Sequence, residues 1–240
     1  MAYRALIGAV LACVALSAGT ARAQVQQLDF GLSLAGFSAG SLTLAVNREG
    51  DRYAARGQIR AGGLVGLIVN FKYDASNAGR IVNDYDYRPV QFEARNDNGK
   101  RAFTTQVRFE NGVARDISFD PPREPRPWSL DPAAEAGKID PLSGAMALLL
   151  DRPVGRACDR TIEVFDGGRS NRIRIGPREA SGDGYICRGV YSRVGGYSPR
   201  SMRRNVNFDL VMFYREVGGI MQVTQFQLQT TAGTATAVRR

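Results

Sequence analysis

The segment FTTQVRFENGVARDISF at residues 103–119 decides the fold class of this chain. Large apolar side chains alternate with polar ones on both sides of the dipeptide Asn111-Gly112. Alternation with a period of two is typical of a strand with one buried face, and Asn-Gly is among the strongest short signals for a hairpin turn. The segment therefore predicts two antiparallel strands joined by a tight turn.

Similar alternation recurs along most of the chain. The clearest further examples are residues 28–34, 42–46, 53–59 and 206–214. A change of parity after Val223 predicts a β-bulge near Thr224 or Gln225. With about eleven or twelve short strands, the pattern predicts a mostly β fold, built as a single curled antiparallel sheet or partial β-barrel. An outer-membrane barrel is disfavoured by the internal helix and by the lack of aromatic residues repeating at strand ends.

Residues 140–150 predict one central helix. Asp140 has the chemistry of an N-cap, and Pro141 that of a first helical residue. The apolar residues that follow form a broad stripe at Leu142, Met146, Leu149 and Leu150. A short helix with a broad apolar face needs cover on several sides, so we expect it to plug or flank the curved sheet. A second segment, residues 62–68, fits either a short helix or a buried strand.

The proline-rich connector at residues 121–127, PPREPRP, interrupts the series of strands and leads to Trp128. Closely spaced prolines favour extended backbone and oppose both helix and sheet. The connector divides the chain into two sheet-forming halves. The length of residues 24–240 suits one sizeable core, so we expect a single β-rich domain there.

Residues 1–23 have the three parts of a cleavable signal peptide. Arg4 supplies the positive charge, residues 5–19 form the apolar run, and Ala21 and Ala23 precede a cleavage site before Gln24. A lipoprotein anchored through Cys13 is disfavoured, because the apolar run continues past that residue. We therefore expect a periplasmic protein without a transmembrane span in its mature chain.

Only Cys158 and Cys187 remain once the signal peptide is removed. An even number of cysteines in an oxidising compartment predicts one disulfide. Closing a loop of about 30 residues stabilises the fold by roughly 3.5 kcal/mol on the chain-entropy model. The spacing is not the Cys-x-x-Cys of redox proteins, so a structural role is favoured.

The chain contains no histidine and carries a formal net charge of +9. The absence of histidine excludes Ser-His-Asp and Cys-His catalysis and histidine-ligated zinc, and no metal site or cofactor is expected. Lys72, Lys100 and Lys138 are the only lysines, so nearly all the positive charge is arginine, whose planar fork suits phosphate and carboxylate. For an exported protein, anionic lipid, lipopolysaccharide or an envelope protein is a better partner than nucleic acid.

Two sets of residues are candidates for a site. Asp166 and Asp140 are the candidate catalytic carboxylates, with Arg169 able to hold an anion; Asp-Gly-Gly is also ordinary turn chemistry, which we favour for Asp166. A pocket for an amphiphile with an anionic head is the other possibility, although such tyrosines often finish a core edge. Its residues are Arg169, Tyr185, Tyr191, Tyr197, Arg200 and Arg203.

Several short motifs occur together in one order along the chain. They are Arg88-Pro89-Val90-Gln91-Phe92, Asp140-Pro141-Leu142-Ser143, Cys158-Asp159, Val164-Phe165-Asp166-Gly167, Cys187-Arg188-Gly189-Val190-Tyr191 and Gly196-Tyr197-Ser198-Pro199. In this combination the chain resembles the bacterial envelope family known as domain of unknown function 3108. The resemblance covers most of the chain after the signal peptide. It implies an exported, mostly β protein and carries over no catalytic residues.

Three functions are compatible with these observations. The leading hypothesis is a non-enzymatic periplasmic binding or envelope-maintenance protein, which holds an amphiphilic or lipid-like ligand, or an envelope partner, on its concave sheet face. A histidine-free hydrolase that uses carboxylates on envelope polymers is the second. A structural protein-interaction module is the third, and the sequence alone does not separate it from the first.

Overall fold

The computed structural model describes residues 24–68, 70–83 and 85–240. The predicted signal peptide, its Ala23 cleavage residue and Cys13 lie outside these residues. Within them the chain forms fourteen strands: β1 (Gln24–Leu34), β2 (Phe37–Glu49), β3 (Arg52–Ala61), β4 (Lys72–Val82), β5 (Asp86–Asp97), β6 (Ala102–Glu110), β7 (Val113–Asp120), β8 (Arg152–Pro153), β9 (Arg160–Phe165), β10 (Ser170–Ser181), β11 (Gly184–Gly195), β12 (Asn207–Val217), β13 (Ile220–Thr230) and β14 (Gly233–Arg239). The helices are α1 (Gly63–Gly66), α2 (Pro141–Leu149) and α3 (Pro199–Arg204), with short 3-10 turns at Pro132–Glu135 and Val154–Arg156.

All the strands belong to one antiparallel sheet, as predicted. Its order is β7-β6-β5-β4-β3-β2-β1-β14-β13-β12-β11-β10-β9, and the two-residue β8 pairs with β13. The first and last strands are neighbours, with Leu32 opposite Ala237. The sheet therefore curls around one interior but does not close, because β7 and β9 at its two edges do not pair.

The segment before α2 spans part of the gap between these edges. Ile139 forms a parallel bridge with Val164 of β9, and its N–H donates to the carbonyl of Glu163. On the other side, the N–H of Gly137 donates to the carbonyl of Gly112 in the β6–β7 turn at 2.8 Å. This segment satisfies backbone groups that an open edge would leave unpaired.

Helix α2 plugs the interior of the curled sheet, which confirms the predicted central helix. Asp140 is its N-cap and Pro141 its first residue, and the side chains of Met146 and Ser143 are fully buried. The helix comes close to β3 at Gly57, where an added Cβ would lie 2.7 Å from Leu142 Cδ1. Because α2 fills the middle of this space, a ligand on the concave face would have to lie toward one of its ends.

The sequence undercounts the strands, mainly because β4 hides its alternation. Three of its inward positions hold the small or polar residues Ala75, Asn77 and Gly79, so the usual alternation of large apolar and polar side chains is missing there. Small side chains leave room there, and Asn77 bonds to residues of α2. The predicted bulge near Thr224 is confirmed. The register between β12 and β13 shifts there, because Val223 and Gln225 pair with adjacent residues of β12 and Thr224 is left without a partner on that strand.

Two helices differ from the sequence interpretation. Of the two possibilities for residues 62–68, the buried strand is wrong, because the short and exposed helix α1 forms there. Helix α3 lies in a segment for which the sequence analysis predicted no helix. It is capped by Ser198, whose hydroxyl accepts the N–H of Ser201, and it begins at Pro199. The Ser-Pro pair is the same start signal that correctly placed α2 at Asp140-Pro141.

The antiparallel order gives the sheet two distinct ends. Odd-numbered strands all finish at one end, which also holds the connector that follows β7; we call it the groove end. The opposite end holds the last turn of α2 and β8, and we call it the chamber end. Within the described residues, no helix is long and apolar enough to cross a membrane.

Candidate functional site

A groove of about 950 Å³ lies at the groove end, on the open side of the sheet. Strands β6 and β7 form its floor, the connector forms one wall, and the β9–β10 turn forms the other. Its main lining side chains are Phe103, Ile117, Phe119, Trp128 and Leu130, together with Arg101, Arg123, Arg126 and Arg169. The volume is within the roughly 300–1,000 Å³ that small-molecule sites occupy in proteins.

The floor of the groove is aromatic. Phe103 and Phe119 are both half-buried and lie on adjacent strands. The guanidinium of Arg123 lies over both rings, with its carbon 4.2 Å from the centroid of Phe119 and 5.4 Å from that of Phe103. Such cation–π contacts position an arginine without using its hydrogen-bond donors on a carboxylate. The donors of Arg123 therefore stay available to a ligand.

The rim of the groove is strongly positive. None of its four arginines forms an ion pair with a described residue, and Glu124 is the one acidic side chain among the lining residues. Burial lowers the pKa of Arg123, and the positive charge of Arg169 lowers it further. The nearby carboxylate of Asp166 opposes this lowering of the pKa. The electrostatic coupling shows that Arg123 and Arg169 act on the same small region from opposite walls.

The β9–β10 turn positions Arg169. Asp166 accepts the backbone N–H groups of Gly168 at 2.8 Å and Arg169 at 2.6 Å, which is the turn chemistry favoured from the sequence. Gly167 has a φ of +91°, and an added Cβ there would lie 2.9 Å from Val107 Cγ2. Only glycine fits that conformation and that approach, so the turn packs directly on β6.

Three of the predicted pocket residues come together beside this turn. The guanidinium carbon of Arg169 lies 5.2 Å from the ring of Tyr197, whose hydroxyl donates to Asn171 at 2.5 Å. Tyr191 lies next to Tyr197. Burial raises the pKa of the Tyr191 hydroxyl, and the neighbouring Tyr197 raises it further. The residues form a wall behind Arg169 that holds it in place at the edge of the groove.

The other three predicted pocket residues lie apart. Tyr185 is near the start of β11, six residues and roughly 20 Å along the strand from Tyr191, and it contacts Arg178. Arg200 and Arg203 are exposed on α3 and do not line the groove. The sequence-based prediction placed all six residues in one pocket. It did not take account of the length of β11, which carries Tyr185 toward the chamber end.

Asp140 belongs to the core. It is fully buried, and its carboxylate accepts the N–H groups of Leu142 and Ser143, the hydroxyl of Ser143 and the amide of Asn77. Burial raises the pKa of the Asp140 carboxyl, and the bonds from Ser143, Asn77 and Leu142 oppose that rise. Its acceptor sites are used by the start of α2 and by Asn77 of β4, so it anchors the helix to the sheet.

The groove depends on residues that the sequence analysis did not select. Phe103 and Phe119 were recognised only as strand residues, and Arg123 and Arg126 only as part of a connector. The available signal was the composition of that connector, in which arginines alternate with prolines just before the only tryptophan, Trp128. Prolines hold such a segment extended, so that alternate side chains can face one surface.

An apolar patch is exposed at the same end of the sheet. It consists of Phe37, Leu64, Leu67 and Ile68, whose exposed fractions are 59%, 58%, 83% and 88%. Asn70 connects the patch to the groove. The Cβ of Asn70 lies 3.0 Å from the position that an added Cβ at Gly99 would occupy. Gly99 comes two residues before Arg101, which lines the groove. A cluster of exposed apolar side chains is typical of an interaction surface.

The predicted disulfide between Cys158 and Cys187 is present, with the two Cα atoms 6.0 Å apart. It joins the entry to β9 with the middle of β11, across the intervening β10. Cys187 is fully buried, which is consistent with a structural role.

These features define the class of protein: an open, curled antiparallel β-sheet plugged by a helix, with an amphiphilic groove at one end. The family described as Protein of unknown function (DUF3108) matches residues 26–180, and the chain belongs to this family. The match confirms the resemblance inferred from the motifs, although it ends before those at residues 187–199. The export of the chain stays a prediction.

The solved structures that are similar to this chain include one that covers most of its length. It is the crystal structure of a beta-barrel-like protein of domain of unknown function DUF1849 from Brucella abortus, with 12% sequence identity and a TM-score of 0.49. The similarity covers 89% of this chain and 95% of that one. No curated protein matches the chain.

Proposed function

We propose that this protein is a non-enzymatic periplasmic binding protein that holds an anionic amphiphile in the groove. The observation that carries the proposal is the combination of an aromatic floor, at Phe103 and Phe119, with unpaired arginines on both walls, Arg123 and Arg169. An apolar chain would lie on the floor and an anionic head would meet the arginines.

The apolar part of the ligand supplies most of the binding free energy in this arrangement. Each buried methylene contributes about 0.8 kcal/mol, so a chain of even modest length gains several kcal/mol on the aromatic floor. Trp128 is partly exposed at 37% and has free surface to cover. Leu130 closes the groove near β11, where a Cβ at Gly195 would lie 2.8 Å from Leu130 Cδ2.

The head group supplies the selectivity. Arginine binds phosphate and carboxylate through two parallel N–H bonds, and this geometry needs donors that are not already used. Arg123 and Arg169 have no described ion pair, and they approach from opposite walls. A neutral amphiphile of the same length would leave their charges partly desolvated without compensation, so it would bind more weakly.

The exposed apolar patch gives the groove a route to its ligand. Leu64, Leu67 and Ile68 belong to the segment of α1 and the turn after it, at the same end of the sheet, and Lys100 and Arg101 are exposed beside it. An apolar loop flanked by basic residues is the composition of a segment that rests on an anionic membrane surface. The groove opens at this end, so a lipid would reach it without crossing bulk water.

The disulfide supports the periplasmic part of the proposal. Disulfides persist in oxidising compartments and are rare in the bacterial cytoplasm. The Cys158–Cys187 bond joins two strands of the finished fold, so it belongs to the folded protein.

Trp128 provides a direct test, because it is the only tryptophan in the chain and it lines the groove. Dodecyl phosphate is titrated into the protein below its critical micelle concentration while tryptophan emission is recorded. We expect a saturable blue shift, since the chain covers the indole. Dodecyl maltoside, with the same chain and a neutral head, should bind at least tenfold more weakly.

Variants locate the site. Arg123→Gln and Arg169→Gln should each weaken dodecyl phosphate binding about tenfold, which corresponds to the loss of one charge-assisted hydrogen bond, and leave dodecyl maltoside unchanged. The matched control is Arg95→Gln, an exposed arginine on β5 outside the groove. An unchanged emission spectrum, or equal weakening by all three variants, would contradict the proposal.

A further inference from the structure

The chamber end holds a second pocket, separate from the groove. It has a volume of about 510 Å³ and lies where α2 ends and β8 and β9 begin. We call it the arginine chamber. Its polar lining includes Tyr85, Tyr87, Arg152 and Arg160, with the exposed Arg88 and Arg156, and with Asp86, Asp159 and Glu163.

Arg152 is the most unusual side chain in the arginine chamber. It is only 3% exposed, yet its Nε atom has no hydrogen-bond partner. Its one described hydrogen bond runs from Nη2 to the carbonyl of Met146 at 3.5 Å, and its guanidinium carbon lies 5.1 Å from the ring of Tyr85. A buried cation needs both charge compensation and satisfied donors, and Arg152 lacks part of each.

Arg160 brings a second guanidinium to the same place. Its Nε donates to the carbonyl of Ala157 at 3.0 Å, and its Nη2 donates to the carbonyl of Ala147. Burial and the charge of Arg152 lower the pKa of Arg160 to about 10. The buried hydroxyl of Tyr214 lies next to both arginines and interacts with Arg160, but it donates no hydrogen bond to a described residue.

The described residues do not fully balance these charges. Neither guanidinium forms an ion pair with a described carboxylate: Glu163 bonds to Arg172, and Asp86 and Asp159 are exposed. The last turn of α2 does contribute, because Arg152 and Arg160 donate to its carbonyls. A helix C-terminus is equivalent to about half a negative charge, however, against two full positive charges.

We propose that the arginine chamber binds an oxyanionic group, a phosphate or a carboxylate, on the guanidinium groups of Arg152 and Arg160. The Nε of Arg152 and the hydroxyl of Tyr214 supply donors that are not used otherwise. The chamber is larger than a phosphate ion, so it would accept this group as part of a small organic molecule. Tyr85 and Tyr87 would then contact the rest of that molecule.

Thermal unfolding of the full chain tests this proposal. Inorganic phosphate and succinate are each added at constant ionic strength, with chloride as the reference. A ligand that binds only the folded state raises the melting temperature in proportion to the occupancy of its site. We expect at least one of the two anions to raise it saturably, and calorimetric titration should then give one binding site. If neither anion raises the melting temperature, the proposal is wrong.

Arg152→Met separates a ligand site from a purely structural arginine. If Arg152 serves the anion, the variant relieves its repulsion of Arg160, so the anion-free protein should unfold at an equal or higher temperature. The anion-dependent increase should disappear, with affinity reduced at least tenfold. If Arg152 only caps α2, the variant should melt lower with and without anion by the same amount, which would overturn the proposal.

Two further variants control for general charge and for the groove. Arg56→Met removes an exposed charge from β3 and should leave the anion effect intact. Arg169→Gln alters the groove and should also leave it intact. An anion effect that is lost in Arg169→Gln but retained in Arg152→Met would place the ion in the groove and overturn the assignment to the arginine chamber. Failure of the amphiphile experiment alone would leave this result unaffected.

Discussion

The hydroxyl oxygens of Tyr53 on β3 and Ser143 on α2 lie 2.9 Å apart in the interior of the sheet. The Ser143 hydroxyl also donates to Asp140 and accepts from Asn77 of β4. This buried network ties two adjacent strands to the first turn of the helix. Because each member depends on the others for its hydrogen bonds, the network fixes both the depth and the orientation of α2.

Asp140 should therefore be important for stability. Asp140→Ala removes the N-cap and leaves buried donors of Ser143 and Asn77 unpaired, so we expect it to lower the free energy of unfolding by about 3 kcal/mol. Asp140→Asn keeps a capping oxygen, and the Asn77 amide can turn its unpaired Oδ1 toward the new donor, so a loss of about 1 kcal/mol is expected. Urea unfolding measures both, and equal losses would contradict this account of the network.

The disulfide should contribute substantially to stability. Cys158 and Cys187 are 29 residues apart, and closing a loop of this size corresponds to about 3.5 kcal/mol. In urea unfolding, the double variant Cys158→Ala/Cys187→Ala should have a free energy of unfolding that is lower by that amount. Helix α2 and the groove should be unchanged. Reduction of the wild-type protein should give a similar shift, whereas the double variant should not respond to reductant.

Burial of tyrosine should make the protein sensitive to alkali. It raises the pKa of Tyr53, Tyr73, Tyr87, Tyr191 and Tyr214 above the ordinary value of 10.0. The folded state thus holds these protons more tightly than the unfolded state. Their stabilising contribution is complete below pH 10 and is lost as the pH rises above it.

Arg123, Arg152 and Arg160 act in the opposite direction, since their lowered pKa values favour folding as the pH rises, but they are three groups against five. We expect the urea midpoint to fall between about pH 9 and pH 11. Tyrosinate absorbance should rise together with unfolding. Full tyrosine ionisation in a protein that remains folded would show that these side chains are more accessible than their burial indicates.

The apolar patch should control contact with membranes. Leu67→Asp and Ile68→Asp alter side chains that are 83% and 88% exposed, so the fold should be retained. Each should reduce co-sedimentation with vesicles containing anionic phospholipid by about tenfold, because one large apolar side chain no longer enters the interface.

Val25→Asp is the matched control for these two variants. Val25 is 71% exposed and lies at the start of β1, at the chamber end. It should leave vesicle binding unchanged. If all three variants reduced binding equally, general hydrophobicity rather than the patch would be responsible.

The hairpin turns, the disulfide, the bulge near Thr224 and the helix start at Asp140 were all accessible from the sequence. Each depends on short-range rules: alternation, turn chemistry, capping and cysteine count in a given compartment. The candidate sites depended on distance along and across strands, which such rules do not contain. Tyr185 and Tyr191 share a strand face, for example, but lie roughly 20 Å apart along it.

The sequence by itself determined that this protein is mostly β, a curled antiparallel sheet or partial barrel with one central helix. Period-two alternation and the Asp140-Pro141 start are local properties of the chain. Only the tertiary structure placed the connector arginine Arg123 across a groove from Arg169, and buried Arg152 beside Arg160. Arg123 and Arg169 are far apart in the sequence and meet because the sheet curls until its two edges approach each other. Arg152 and Arg160 are close in the sequence, and they are brought together in the interior by the carbonyls at the end of α2.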